Sequence, residues 1–244
     1  MRNTSNQVTI SIVSHDQREL TENLLKDLVS FEEIKKLIIT VNVPEDKYNI
    51  PGLLKDKIQF IYNDVKKGFG SNHNSAFEHC KTEFFCILNP DVNIQKNPFS
   101  ELICKAKLMK LSLVAPIVTD KKGLIEDSYR EFLTPIRLFK RFIKSEEYDP
   151  RMKNGVIYPD WIAGMIMLFQ SNIFRELGGF DERYFMYCED MDICKRASNA
   201  NYKIGVLESC RVIHDARRSS KKKLQYLIWH VSSLMKFWKK SLFL

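Results

Sequence analysis

The sequence predicts an α/β fold built on a mainly parallel sheet, and three observations carry that expectation. Apolar runs of strand length recur between Val8 and Leu88. Segments with helical spacing lie between them. Polar residues fall directly after each run, where ligands collect at the carboxyl ends of parallel strands.

The first run, Val8 to Val13, reads as a strand entering a core, and Arg18 to Leu28 places Leu20, Leu24, Leu25 and Leu28 at helical spacing. Leu37 to Val43 and Ile58 to Tyr62 read as the second and third strands, Asn74 to Cys80 as a short helix and Phe84 to Leu88 as the fourth strand. Ser14 and His15, Asn42, Asn63 and Asn89 follow these four strands in turn. A helix near Glu101 to Lys110 and a strand at Leu113 to Val118 come next, whereas the polar, basic stretch from Arg130 to Lys153 carries no legible element. Val212 to His214 reads as a strand end, and a histidine there is open to a packing role or a ligand role.

Composition limits the class. The 244 residues, 44% of them hydrophobic, suffice for one full core. Six cysteines without a C-x-x-C pair suggest neither a zinc site nor a disulfide framework, so a reducing cytosol is the simplest setting. The N-terminus lacks the layout of a signal peptide, and the longest apolar run, Trp161 to Phe169, is too short to span a bilayer. The expectation is a protein neither secreted nor membrane-spanning.

The formal charge of +8 is localised. From Arg211 onward nine Lys/Arg face one acid, which leaves 29 basic and 29 acidic residues in positions 1–210. A neutral body offers no extended basic face, so nucleic acid is not an expected partner. In the tail, apolar residues at 224, 227, 228, 231, 234, 235, 238 and 242 form a helical stripe beside Lys221 to Lys223, Lys236, Lys239 and Lys240. Such a basic amphipathic helix suits an anionic membrane surface, and can equally cover the domain or form a dimer seam.

Several motifs could carry chemistry. Gly68-Phe69-Gly70-Ser71-Asn72-His73-Asn74 is a glycine-rich turn before a helix, which lets backbone N–H groups approach phosphate, yet it matches neither a dinucleotide fingerprint nor a Walker loop. Asn89-Pro90-Asp91 sets one carboxylate at a strand end, where it can ligate a hard divalent ion. Trp161-Ile162-Ala163-Gly164 offers an aromatic face and a point of close approach, though any buried strand could read the same way. Residues 178–196 crowd five carboxylates among buried-looking aromatics, and unpaired charge is costly there.

Taken in order, Gly-Phe-Gly-x-Asn-x-Asn, Asn-Pro-Asp, Trp-x-x-Gly, Gly-Phe-Asp and Glu-Asp-x-Asp resemble the motifs of family 2 glycosyltransferases, and within them the bacterial rhamnosyltransferases of O-antigen and capsule assembly. The resemblance covers about Val8 to His214. It implies a GT-A fold, with a catalytic domain over 1–215 divided near residue 100 into nucleotide-sugar and acceptor halves, and a helical tail over 216–244. It implies Asp190 as catalytic base and Glu189 as the residue that orients acceptor or loop, while Asp192, in the first turn of a helix where it favours the dipole, and Asp181, in the turn after Gly178-Gly179, read as structural. Gly68, Phe69, Gly70, Asn72 and Asn74 would line the donor pocket together with Ser14, His15, Asn42, Asn63 and Asn89. Trp161 and Gly164 would form the acceptor side, and Asp91 and His214 would meet Mg2+ or Mn2+. The implied reaction is inverting transfer of a deoxysugar, L-rhamnose from dTDP-L-rhamnose, to a polyprenyl-diphosphate-linked saccharide at the inner face of the bacterial inner membrane. UDP- or GDP-sugars remain alternatives, since Asn42 stands where many relatives carry a base-contacting Asp. A catalytically silent scaffold is the non-enzyme rival. A sugar-1-phosphate nucleotidyltransferase would want a glycine-rich loop after the first strand, and Ser14-His15-Asp16-Gln17 has no glycine.

Overall fold

A computed structural model describes residues 6–132, 134, 148, 150–215 and 224–241. The lysine run at 221–223, Leu242 and part of the 130–153 stretch lie outside the described residues.

The expected alternation is present. β1 (Val8–Ser14), β2 (Ile34–Val41), β3 (Ile58–Tyr62) and β4 (Phe84–Leu88) pair in parallel in the order β3-β2-β1-β4. Helices α1 (Arg18–Leu28) and α2 (Phe69–Phe77) lie in their crossovers. The next helix, α3 (Phe99–Met109), follows the short strand β5 (Val92–Asn93).

β6 (Leu111–Thr119) continues the sheet beyond a single antiparallel strand inserted next to β4. Short strands β7 (Tyr129–Arg130) and β8 (Arg151–Lys153) stand at the two ends of the stretch that was illegible in the sequence, and β9 (Val156–Tyr158) and β10 (Trp161–Ile162) follow it. The inserted strand is β11 (Ile166–Gln170), and α4 (Ser171–Glu176), α5 (Glu189–Asn199), β12 (Lys203–His214) and α6 (Leu224–Ser241) complete the order. Because β11 runs antiparallel to both β4 and β6, and β12 is parallel to β6, the carboxyl ends of β1 to β4, β6 and β12 share one edge.

The central strands β1, β2, β4, β6 and β11 are buried on both faces, which is why they read as continuous apolar runs without alternation. Phe84, Cys86 and Leu88 of β4 enter one core with Ile10, Ile12, Leu24 and Leu25, while Phe85 and Ile87 enter the other with Phe169, Phe174 and Ile193.

Helix α2 differs from expectation. It begins at Phe69, within the glycine-rich motif, and not at Asn74. Gly70, Ser71 and Asn72 are weak helix formers, and burial of Gly70, Asn72, His73 and Ala76 supplies what propensity lacks. The second strand likewise starts three residues earlier than expected, at Ile34, and ends at Val41.

Helix α6 forms as expected, and its stripe divides. Leu234 and Phe237 pack with Tyr184, Cys188 and Met191, while Leu224, Leu227, Ile228, Val231 and Met235 face outward. Among the described residues no helix is long and apolar enough to cross a membrane.

Candidate functional site

The sheet edge gathers the polar residues that follow the strands. Asn42 accepts from Asn63 Nδ2 at 2.9 Å and from the Lys67 backbone N–H at 2.9 Å, and donates to Lys67 O at 3.0 Å. Asn63 also donates to Asn72 Oδ1 at 2.7 Å, and Asn72 is 1% exposed. These three amides fasten the loop before α2 to the ends of β2 and β3. His15 Nδ1 lies 3.4 Å from Asn42 Nδ2, and burial, reinforced by nearby Lys66, lowers its pKa.

Ser14 turns to a residue that the sequence did not single out. Its hydroxyl reaches both oxygens of Glu45 at 2.8 and 2.9 Å, and Glu45 also accepts from the Asp16 N–H at 2.8 Å and from Tyr48 at 2.6 Å. The adjoining cleft, about 500 Å³, is lined by Asp16, Glu19, Glu45 and Asp46 with Arg18 as its one basic residue, a charge balance unsuited to phosphate.

The glycine-rich motif faces two ways. The Phe69 N–H donates to Phe185 O at 3.0 Å, and a Cβ on Gly68 would stand 2.5 Å from that oxygen, so glycine permits this approach. Asn74 turns from the strand ends toward the turn at residues 178–183. It donates to Phe180 O and accepts from the Phe180 N–H, both at 2.9 Å, and donates to Glu182 at 3.0 Å. Gly70 lies against Phe180 as well. Gly68, Gly70 and Asn74 therefore join the motif to the Gly-Gly-Phe-Asp-Glu turn, while Asn72 belongs to the amide cluster.

Asp190 sits where three motifs meet. Its Oδ2 accepts from the Gly164 N–H at 3.0 Å and its Oδ1 from the Met191 N–H at 2.7 Å. A Cβ on Gly164 would lie 3.0 Å from the Phe69 ring and 3.9 Å from Asp190 Oδ2. Trp161, three residues before Gly164 in the same segment, donates its indole N–H to Glu131 O at 3.1 Å. Burial raises the pKa of Asp190, opposed by the two backbone N–H groups. Glu189 is 5% exposed, its Oε2 has no partner among the described residues, and burial with the neighbouring Asp190 charge holds its pKa well above the carboxylate range. Of this coupled pair Glu189 is the more readily protonated, because Asp190 has the stabilising N–H donors.

The backbone leading into this pair is strained. Tyr187 and Cys188 have φ of 70° and 66°, a conformation that costs a non-glycine residue on the order of 1–3 kcal/mol and gathers at functional sites. Contacts from α6 brace it: Tyr187 packs on His230 at 5.1 Å, Phe185 on Trp229 at 4.9 Å, and Ser233 bonds Met186 O at 2.9 Å. Lys240 stands between Asp181 at 2.9 Å and Asp192 at 2.6 Å, and Arg196 holds the other Asp192 oxygen at 2.7 Å. Both acids are thus paired within the scaffold, and hydrogen bonds from Arg183 keep the Asp181 pKa well below the ordinary range.

Asp91 and His214 come together where β5 pairs with β12, His214 standing opposite Val92, with Asp91 Oδ2 3.3 Å from His214 Nε2. Asn89 begins the turn, and its N–H is held by Met165 O at 2.9 Å. The opposite ring nitrogen, Nδ1, meets Glu126 at 2.6 Å, another residue absent from the sequence reading. Burial disfavours charge on His214, but the bonds and charges of Asp91 and Glu126 outweigh it and push the pKa up to about 8. Asp91 Oδ1 is buried with no hydrogen-bond partner among the described residues. Such an oxygen fits a hard cation, although among the described residues no three acid, His or Cys side chains form a ready metal cluster.

No family model matches the chain. Rhamnosyltransferase WbbL of Escherichia coli K12 is 26% identical over 245 residues, covering 94% of this chain and 92% of that protein. The low-salt glycan biosynthesis hexosyltransferase Agl10 of Haloferax volcanii is 25% identical over 164 residues, and the N-acetylglucosaminyl-diphospho-decaprenol L-rhamnosyltransferase of Mycobacterium tuberculosis is 25% identical over 162. These alignments cover 66% and 62% of this chain, and the chain spans about half of each of those two relatives, 52% and 53%. Among solved structures, GalNAc-T7 with UDP, GalNAc and Mn2+ superposes with a TM-score of 0.65 at 13% identity, covering 87% of this chain and 44% of that one. The mannosyltransferase PcManGT of Pyrobaculum calidifontis, with GDP-Man and Mn2+, gives 0.64 at 12% identity, covering 94% and 64%. The fold is GT-A, and the chain is a homologue of glycosyltransferases that include rhamnosyltransferases, as its motifs led us to expect.

Proposed function

We propose that the chain transfers a sugar, with inversion, from a nucleotide donor to a hydroxyl of a polyprenyl-diphosphate-linked saccharide, and that L-rhamnose from dTDP-L-rhamnose is the donor. The observation that carries this reading is the convergence of Phe69, Gly164 and Asp190, which joins donor motif, acceptor motif and a half-buried carboxylate in one contact. The sugar and the acceptor rest on the names of the relatives, one of which acts on N-acetylglucosaminyl-diphospho-decaprenol.

Asp190 takes the acceptor hydroxyl's proton as the oxygen attacks the anomeric carbon and the nucleoside diphosphate leaves from the opposite face. Its raised pKa suits the task, and Gly164 and Met191 hold the carboxylate in place. Glu189, protonated beside it, supports the motif as a neutral acid. Asp91, through its unpartnered Oδ1, and His214, through Nε2, would hold a divalent cation, which when bound offsets the charge of the leaving diphosphate. The amide cluster of Asn42, Asn63 and Asn72, with Ser14 and His15 beside it, belongs to the donor half ahead of residue 100, as does Asn89, and Trp161 to the acceptor half.

Helix α6 contributes an outward face of Leu224, Leu227, Ile228, Val231 and Met235 with exposed Lys236 and Lys239. This face suits the anionic surface of the membrane that carries the acceptor, at the cytoplasmic side where nucleotide sugars are available.

The test is a thermal-shift panel of dTDP-, UDP- and GDP-sugars with Mg2+, Mn2+ or chelator. A donor at a hundredfold excess over its Kd stabilises by about 2.7 kcal/mol. Metal-dependent stabilisation by the dTDP-sugar, lost in Asp91→Ala, is the expected result. A response to no nucleotide sugar at all favours the silent scaffold, and a response to UDP- or GDP-sugars alone replaces the donor.

A further inference from the structure

Glu126 reaches His214 because the chain doubles back after β6. Asp120 accepts the N–H groups of Lys122 and Leu124 at 2.8 and 2.9 Å, Gly123 takes φ of 81°, and the Glu126 N–H then bonds Val118 O at 2.9 Å. β12 runs on the other side of the same strand, with Val212 opposite Val118 and Ile213 opposite Thr119. The turn therefore delivers a carboxylate to the end of β12, where His214 emerges. His214 is only 13% exposed in its side chain, Asp91 16% and Glu126 21%, so the ring is held between two shielded carboxylates, one on each nitrogen.

We infer that Glu126 is a positioning residue that accepts the Nδ1–H of His214 and so commits Nε2 to the Asp91 side as the ligand atom. A histidine that ligates through one nitrogen almost always donates the other N–H to an outer carboxylate or carbonyl, which fixes both tautomer and ring orientation. The 2.6 Å contact supplies that partner, and the 3.3 Å separation of Nε2 from Asp91, longer than a charge-assisted hydrogen bond of about 2.7–2.9 Å, leaves the two as neighbours around a common point. The inference rests on the cation reading of Asp91 and His214 and adds to it the residue that orients the histidine.

The experiment titrates Mn2+ into the full chain without donor, following the free-ion EPR signal, and records the ring-nitrogen NMR shifts of His214 in the metal-free protein above pH 8, where the ring is neutral. Four proteins are compared: wild type, Asp91→Ala, Glu126→Ala and Glu126→Gln. We expect Glu126→Ala to weaken Mn2+ binding by about 10–100-fold, the usual effect of removing an outer partner, and to shift the tautomer away from Nδ1–H. Glu126→Gln, whose amide oxygen still accepts the Nδ1–H, should recover most of both properties. Wild-type Mn2+ affinity and unchanged ring shifts in Glu126→Ala, alongside lost binding in Asp91→Ala, would overturn the inference and leave the cation site standing. Unchanged binding in Asp91→Ala as well would overturn the cation site and this inference together. The Gln variant, close in volume and charge-free, keeps the test readable should the Ala variant fold poorly.

Discussion

Replacing Asp190 by Asn tests two properties of the same side chain. Both carboxylate oxygens accept backbone N–H groups, Oδ2 from Gly164 and Oδ1 from Met191. A carboxamide has one oxygen, so its NH2 must face one of these donors, and an unsatisfied buried N–H costs about 1–3 kcal/mol. The variant should therefore unfold at lower urea, with stability reduced by about 1–3 kcal/mol. Turnover should fall further, by about 10²–10⁴-fold, the usual scale for a lost general base. Donor affinity should stay near wild type, since no contact of Asp190 involves the amide cluster. Urea melts, calorimetric donor binding and single-turnover transfer at a temperature where both proteins are folded separate the three quantities. Transfer within tenfold of wild type by the folded variant would refute Asp190 as the base. Unchanged stability would refute the geometry from which the cost is reckoned.

Other predictions concern the scaffold and the outward helix face. Asn74→Ala strands the N–H and C=O of Phe180, at about 1–3 kcal/mol each, and Gly179→Ala should be comparably harmful, since φ is 67° and its Cβ would stand 2.4 Å from Asn74 Oδ1; urea melts of both check this. His73 is fully buried, and burial lowers its pKa to about 3 from 6.5, so the unfolded chain binds a proton that the native one refuses as pH falls below 6.5. Relative to His73→Leu, which retains Glu189 and every other titrating group, the wild type should lose about 2 kcal/mol between pH 7 and pH 5, at 1.36 kcal/mol per pKa unit; equal pH slopes would refute it. Val231→Glu with Lys239→Glu should reduce sedimentation with anionic liposomes, each basic residue being worth about 1 kcal/mol there, while leaving donor hydrolysis intact. Unchanged sedimentation would confine α6 to its packing role.

The strands were legible because a sheet covered on both faces makes each of them an uninterrupted apolar run, and the polar residues that follow mark its edge. The motifs were legible because each is local: Asp190 and Glu189 are adjacent, and Gly68 to Asn74 form two turns of chain. Glu126 and Glu45 were not, because each acts through a partner distant in sequence, His214 and Ser14, and a lone glutamate in a loop has no local mark. The Asp120-Lys121-Lys122-Gly123 turn after β6 was the available signal for Glu126, since Asp first and Gly last favour a tight reversal. The sequence also could not say which side of α6 would meet the domain. Leu234 and Val231 belong to one apolar stripe, and only the buried Tyr184, Cys188 and Met191 decide that Leu234 turns inward. Asp192 was expected to be structural, and its pairing with Lys240, which spans 48 residues, has no local trace.

The most direct measurement is a transfer reaction with the purified chain, dTDP-L-rhamnose, Mn2+ and N-acetylglucosaminyl-diphospho-polyprenol in anionic liposomes, with the lipid product followed by mass spectrometry. The account predicts addition of one deoxyhexose to the lipid-linked sugar, abolished by chelator and reduced by at least about a hundredfold in Asp190→Asn. An acceptor left unmodified by every nucleotide sugar that the folded protein binds would contradict it.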